Sequence, residues 1–128
     1  MHFKTKNASF AYLLKEGWTF INNRTSAFSS EGKGTLLLPK LQRSQKSKYS
    51  VNIRYAVINA GQDRSKTIQF SINGEVIKEE VVETHTTKEL VIDLPNHLLP
   101  EKLGDIEMLM ETSNQGQSML RSITIHKQ

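Results

Sequence analysis

The chain has 128 residues, 37% of them apolar and 23% charged, with a formal charge of +4 at neutral pH. That length suits one domain, residues 1–128, and the composition is that of a folded chain, not a disordered one. No apolar run nears the ~20 residues that a membrane-crossing helix needs. The absence of cysteine excludes disulfides, thiolate–zinc sites and thiol catalysis.

The first stretch, "MHFKTKNASFAYLLKEGW", has no apolar segment followed by a cleavage site. The expectation is therefore a cytoplasmic protein, or a module cut from a larger protein associated with the cell surface. "SFAYLL" alternates through Phe10, Tyr12 and Leu14 and is read as a weak strand. Gly17-Trp18 follows, then a run of hydroxylated residues, and then Gly32 and Gly34 before the burst "TLLLP". That burst is a strand with Leu36 and Leu38 inward, expected to stop at Pro39. Residues 40–54 then hold Lys40, Arg43, Lys46, Lys48 and Arg54 without one acid.

Alternation is clearest in the second half. "SVNIRYAV" sets Val51, Ile53, Tyr55 and Val57 against Asn52 and Arg54, and "KTIQFSIN" sets Ile68, Phe70 and Ile72 against Thr67, Gln69 and Ser71. A period of two with one apolar face is what each strand of a two-layer sandwich requires. Asn73-Gly74 predicts a type I′ hairpin turn, because both central residues of that turn take positive φ. The segment after it, "EVIKEEVVETHTT", carries a helix-like charge pattern but is rich in valine and threonine, and is read as a strand and a turn. "ELVIDL" alternates again, "PNHLLPEKLGD" is a loop with one short helical turn, and "DIEMLME" and "SITIHK" complete the set. The fold expected is all-β: a two-layer antiparallel β-sandwich of jelly-roll type with eight to nine strands.

No residue pattern assembles a catalytic centre. His2, His85, His97 and His126 are scattered without metal-ligand spacing, so neither a metal nor a cofactor is expected. No serine lies in a Gly-x-Ser-x-Gly elbow, and "EGKG" lacks the spacing of a phosphate-cradling loop. The chain is accordingly expected not to be an enzyme. "KLQRSQKSK" could contact phosphate, sulfate or uronic acid groups. Tyr49 is its only aromatic neighbour, which disfavours nucleic acid, since strand-binding modules interleave such charges with stacking rings. Trp18 fits two roles: a core or edge plug, or a platform for an apolar ring face.

The order of these pieces resembles a known family of modules. Gly17-Trp18, Phe28-Ser29 with Gly32 and Gly34, Leu36 to Pro39, Val51 to Tyr55, Ile72-Asn73-Gly74, Val91 to Pro95 and Leu120 to Ile125 look like a galactose-binding-like, carbohydrate-binding-module jelly roll. The pattern is similar to accessory β-sandwich domains of bacterial surface-polysaccharide glycosyltransferases, although Phe28 stands where that family often has tryptophan. The resemblance implies a non-catalytic carbohydrate-binding module of a larger glycan-synthesising or glycan-active protein. The alternative is a structural or protein-interaction domain that orients or dimerises a neighbouring catalytic domain. On the first reading Trp18 stacks on a sugar, Asn52, Arg54 and Gln69 donate hydrogen bonds from a polar sheet face, and Lys46 and Lys48 favour an anionic polysaccharide.

Overall fold

A computed structural model describes residues 32–46, 48–58, 64–113 and 117–127, and the backbone pairing of residues 2–4, 18–20 and 27–29. Among these lie three strands of three residues, β1 (His2–Lys4), β2 (Trp18–Phe20) and β3 (Ala27–Ser29). Seven long strands follow: β4 (Lys33–Leu41), β5 (Tyr49–Ile58), β6 (Ser65–Ile72), β7 (Glu75–Glu83), β8 (Lys88–Asp93), β9 (Gly104–Thr112) and β10 (Gln117–Lys127). One 3₁₀ turn, Asn96–Leu98, precedes β9. The expected strand at "SFAYLL" lies outside the described residues.

The strands make two antiparallel sheets. One runs β2-β3-β10-β5-β8, with β1 also on β10, and the other runs β4-β9-β6-β7. β3 and β1 occupy successive stretches of the same β10 edge, opposite residues 119–120 and 122–124. From β4 onward every connection except the β6–β7 hairpin crosses from one sheet to the other, which is the jelly-roll form of the sandwich. The crossings collect at the two ends. At one end lie the β4–β5 and β8–β9 connections and the Asn73-Gly74 turn, whose φ values of 51° and 81° are both positive, as a type I′ turn requires.

The alternation in the sequence becomes the core. Val51, Ile53, Tyr55 and Val57 of β5, with Leu90 and Ile92 of β8, face Ile68, Phe70 and Ile72 of β6 and Met108 and Met110 of β9. Tyr55 and Phe70 meet edge to face across the sheets, with ring centroids 5.9 Å apart, a preferred aromatic geometry. A buried hydroxyl pair, Thr112 Oγ1 to Ser118 Oγ at 2.7 Å, ties β9 to β10.

Twice the core-facing row advances by three residues instead of two. Leu38 is followed inward by Leu41, and Leu120 by Ile123. The register shifts at both places. An extra residue in one strand re-phases the alternation so that both flanking residues face the same layer. The first shift corrects the expectation that Pro39 ends its strand: β4 runs on to Leu41. β4 is the edge strand of its sheet, and a proline there has no ladder partner to deprive of an N–H. Lys40, at φ 59°, takes up the turn and gives its backbone N–H to Asp105 Oδ1 at 3.2 Å.

At the other edge of that sheet, β7 carries a third shift, between Phe70 and Ser71 of its partner. Its Lys78 and Glu80 stand in register with the inward Phe70 and Ile68, and pair with each other at 3.6 Å. Charges on the inward side of an edge strand discourage pairing with a further strand.

Candidate functional site

The end of the sandwich that holds the β4–β5 connection is built as a clasp. Arg43 N–H donates to Pro100 O at 2.7 Å, and Arg43 Nη2 donates to His97 O at 3.0 Å. Ser44 N–H donates to Asn96 Oδ1 at 3.0 Å, and Gln42 Nε2 to Glu101 O at 3.1 Å. Arg43 also reaches the Glu101 carboxylate at 3.7 Å. The opposing wall is shaped by prolines. Pro95 and Pro100 bracket the 3₁₀ turn, whose bonds run from Leu98 N–H to Pro95 O and from Leu99 N–H to Asn96 O. Leu99 is buried in the core cluster and anchors the turn from below. The basic stretch is thus held at its first half, residues 42–44, by four hydrogen bonds across the end of the fold.

Between the two walls lies a cavity of about 680 Å³. Its apolar lining comes from Tyr49, Leu94, Pro95 and Leu99, and its polar lining includes Gln45, Lys48, Asp93 and Asn96. Tyr49, Leu94 and Leu99 are all buried; Leu94 N–H donates to Tyr49 O at 3.0 Å, which joins the two strand ends. Because Asn96 Oδ1 is engaged by Ser44, its Nδ2 remains a donor without a partner among the described residues. An apolar floor with a few fixed donors and acceptors, in a volume of this order, is the usual form of a small-molecule site. Amide, ammonium and carboxylate groups together can both donate to and accept from hydroxyls.

The sequence-expected site residues fall in different places. Lys48 lines the cavity and Lys46 lies exposed in the same loop. Neither has an ion-pair partner among the described residues. Asn52 and Arg54 lie along β5 on the outer face of the larger sheet, where Asn52 Nδ2 donates to Glu89 Oε1 at 2.9 Å. Arg54 is exposed and its register partner is Glu89. Gln69 lies on the outer face of the other sheet, donating through Nε2 to Glu79. Asn52 and Arg54 therefore do not share a polar face with Gln69: consecutive strands β5 and β6 belong to opposite layers. The backbone of Trp18 opens β2, paired with Ser29; its side chain lies outside the described residues.

Sequence reasoning passed over Tyr49, Asp93 and Asn96. Only Asn96 carried a signal, and an indirect one, in a loop bracketed by two prolines; Tyr49 opens β5 and Asp93 closes β8, and only the pairing of those two strands brings them together. The described residues hold no group of three or more histidine, aspartate or glutamate side chains placed to share a metal ion. No described helix is long and apolar enough to cross a membrane.

No protein-family model matches the chain, and no curated protein matches it in sequence. Solved structures match it in fold. The CBM22-1–GH10 modules of the Clostridium thermocellum endo-1,4-β-D-xylanase 10B, complexed with xylohexaose, align with a TM-score of 0.61 at 13% identity, over 98% of this chain and 28% of that one. The CBM36-1 domain of a multidomain xylanase from the hindgut metagenome of Trinervitermes trinervoides gives 0.53 at 12% identity, over 88% of this chain and 86% of that one. The GH26-CBM35 β-(1,4)-mannanase of Podospora anserina gives 0.56 at 20% identity, over all of this chain and 27% of that one. At these identities the likeness is one of fold.

Proposed function

We propose that this chain is a non-catalytic carbohydrate-binding module, one domain over residues 1–128, carried by a larger glycan-active or surface-polysaccharide protein. We place its saccharide site in the cavity between the β4–β5 connection and the 3₁₀ turn. The observation that carries the reading is that cavity: a ligand-sized hollow, held open by hydrogen bonds between its walls, at the end of a fold shared with modules of xylanases and a mannanase. The apolar lining from Tyr49, Leu94 and Leu99 suits the C–H face of a sugar ring. The amides of Gln45 and Asn96 suit its hydroxyls. Lys48, with Lys46 beside it in the loop, favours a glycan bearing carboxylates. Asn52, Arg54 and Gln69 remain candidates for secondary contacts on the two outer faces, and Trp18 for stacking.

The alternative, a domain that orients or dimerises a catalytic neighbour, would use a sheet face or an edge. On edge strand β7 the exposed Val76 and Val81 alternate with Glu75, Glu79 and Glu83, and inward charges guard the strand; on edge strand β8 the exposed Val91 stands between Glu89 and Asp93. The geometry favours sugar over a strand partner.

Calorimetric titration with neutral and uronate-containing oligosaccharides tests the reading. Binding should appear with the acidic set and weaken as salt is raised, because the charges are solvent-exposed and screened within about 10 Å at 0.1 M. Lys48→Ala should lower affinity roughly fivefold, the order of one exposed charge contact. A panel without a single hit would end the proposal.

A further inference from the structure

The turn that walls the saccharide cavity has a second tie, outside that cavity. His97 follows Asn96 in the 3₁₀ turn, and its ring Nε2 lies 3.2 and 3.1 Å from the two carboxylate oxygens of Glu75. Glu75 opens β7 directly after the Asn73-Gly74 turn, in register with the buried Ile72. The ring therefore straps the turn to the smaller sheet, while Arg43 and Ser44 hold it from the β4–β5 connection. Asn96 lines the saccharide cavity; His97 and Glu75 do not. They reach a bound sugar only through the turn.

The strap depends on a proton. A carboxylate only accepts, so Nε2 must carry hydrogen for the contact to attract. The neutral ring meets that condition in one of its two tautomers. The imidazolium meets it always and adds opposite charge, which strengthens the bond. Histidine is the side chain whose charge ordinarily changes between about pH 5 and 8. Other charged groups near His97 are engaged elsewhere. Arg43 bonds the His97 carbonyl and reaches Glu101. Asp105 and Glu107 line the neighbouring hollow with His97, but Asp105 accepts from the Lys40 N–H and Glu107 holds a partner of its own.

We propose that His97 and Glu75 are a positioning pair for the saccharide site. Protonation of the ring tightens the strap, keeps Asn96 Oδ1 on the Ser44 N–H, and leaves Asn96 Nδ2 set toward the sugar. The role rests on the carbohydrate reading above and adds a pH dependence to it: affinity is greatest where the ring is charged and falls as pH rises and the ring loses its proton. Both side chains are half exposed or more, so the gain is that of a surface pair, about two- to fourfold in affinity.

Calorimetry with one uronate-containing oligosaccharide, repeated between about pH 5.5 and 8, tests the pair. The wild type should bind about two- to fourfold more tightly at the acid end. His97→Gln and Glu75→Gln should each flatten the profile at the weaker value, and the double variant should bind no more weakly than either single one. A ring charge acting directly on the uronate would instead keep the pH profile in Glu75→Gln, and that result would overturn the proposal. A second readout needs no sugar. The Ser44 amide-proton shift reports its bond to Asn96 Oδ1, and in the free protein it should move over the same pH range in the wild type and stay still in both single variants. A Ser44 signal that does not move in the wild type means that the strap never reaches the clasp, and the proposal is refuted. If saccharides bind with a pH profile that ignores both substitutions, the pair is refuted and the sugar reading survives. If no saccharide binds at any pH, both fall together.

Discussion

Tyr55 sits at the centre of the sandwich, fully buried, and its hydroxyl finds no hydrogen-bond partner among the described residues. The ring is well placed, edge to face with Phe70, so the residue contributes packing while its oxygen is left unsatisfied. Leaving a buried hydroxyl unpaired costs about 1–3 kcal/mol. Tyr55→Phe removes the oxygen and keeps the ring, and should therefore stabilise the fold by about 1–2 kcal/mol, a rise of roughly 3–8 °C in Tm for a domain of this size. Urea denaturation at pH 7 reads the gain as a higher midpoint at unchanged slope. The alkaline range gives a second readout. Burial, and then the nearby Glu80 carboxylate, push the Tyr55 phenol well above its ordinary value near 10. The folded state thus holds the phenolic proton more tightly than the unfolded chain does. The stability linked to that proton is full below about pH 10 and is lost as pH rises beyond it. The wild type should weaken there, and the phenylalanine variant should lose this part of the decline. A variant less stable than the wild type at pH 7 would mean that the hydroxyl has a partner, and the reasoning would be refuted.

Other consequences follow from the turn, the edge and the clasp. Gly74 has φ 81° with nothing within 4 Å of an added Cβ, so Gly74→Ala should cost about 1 kcal/mol through backbone strain alone, measurable by chemical denaturation. Replacing Lys78 and Glu80 together by valine removes the inward charges of β7. Stability should change little, as expected for a partly exposed pair, but sedimentation should show concentration-dependent association. Asn96→Ala deletes the acceptor for Ser44 N–H, and should cost about 1 kcal/mol while weakening saccharide binding more than folding, seen by comparing denaturation with calorimetry.

Most of the fold was legible because a strand with one buried face writes its orientation into every second residue. β5, β6, β8 and β9 follow that rule without a break, and their inward residues were readable one by one. The difficult places are those where a bulge changes the phase. "KLQ" after "TLLLP" hides that Leu41 returns to the core, and "LRSI" hides that Leu120 and Ile123 share a layer. In β7 a shift and two inward charges erase the pattern, which is why the segment looked half helical. The candidate site was legible only in part. Lys46 and Lys48 announced a basic loop, but Asp93 and Asn96 reach the cavity through a connection about fifty residues later in the chain, and only the crossing of β8 to β9 brings them there. Asn52 and Gln69, both outward by alternation, could not be assigned to opposite layers without knowing that β5 and β6 are in different sheets.

Amide chemical-shift mapping during titration with a uronate-containing oligosaccharide tests the central claim most directly. The account predicts shifts concentrated at residues 44–49 and 93–99, saturating with the calorimetric affinity and greatly reduced in Lys48→Glu. Shifts that saturate elsewhere, on the outer face around Asn52 and Arg54 for instance, with the loop end silent, would contradict it.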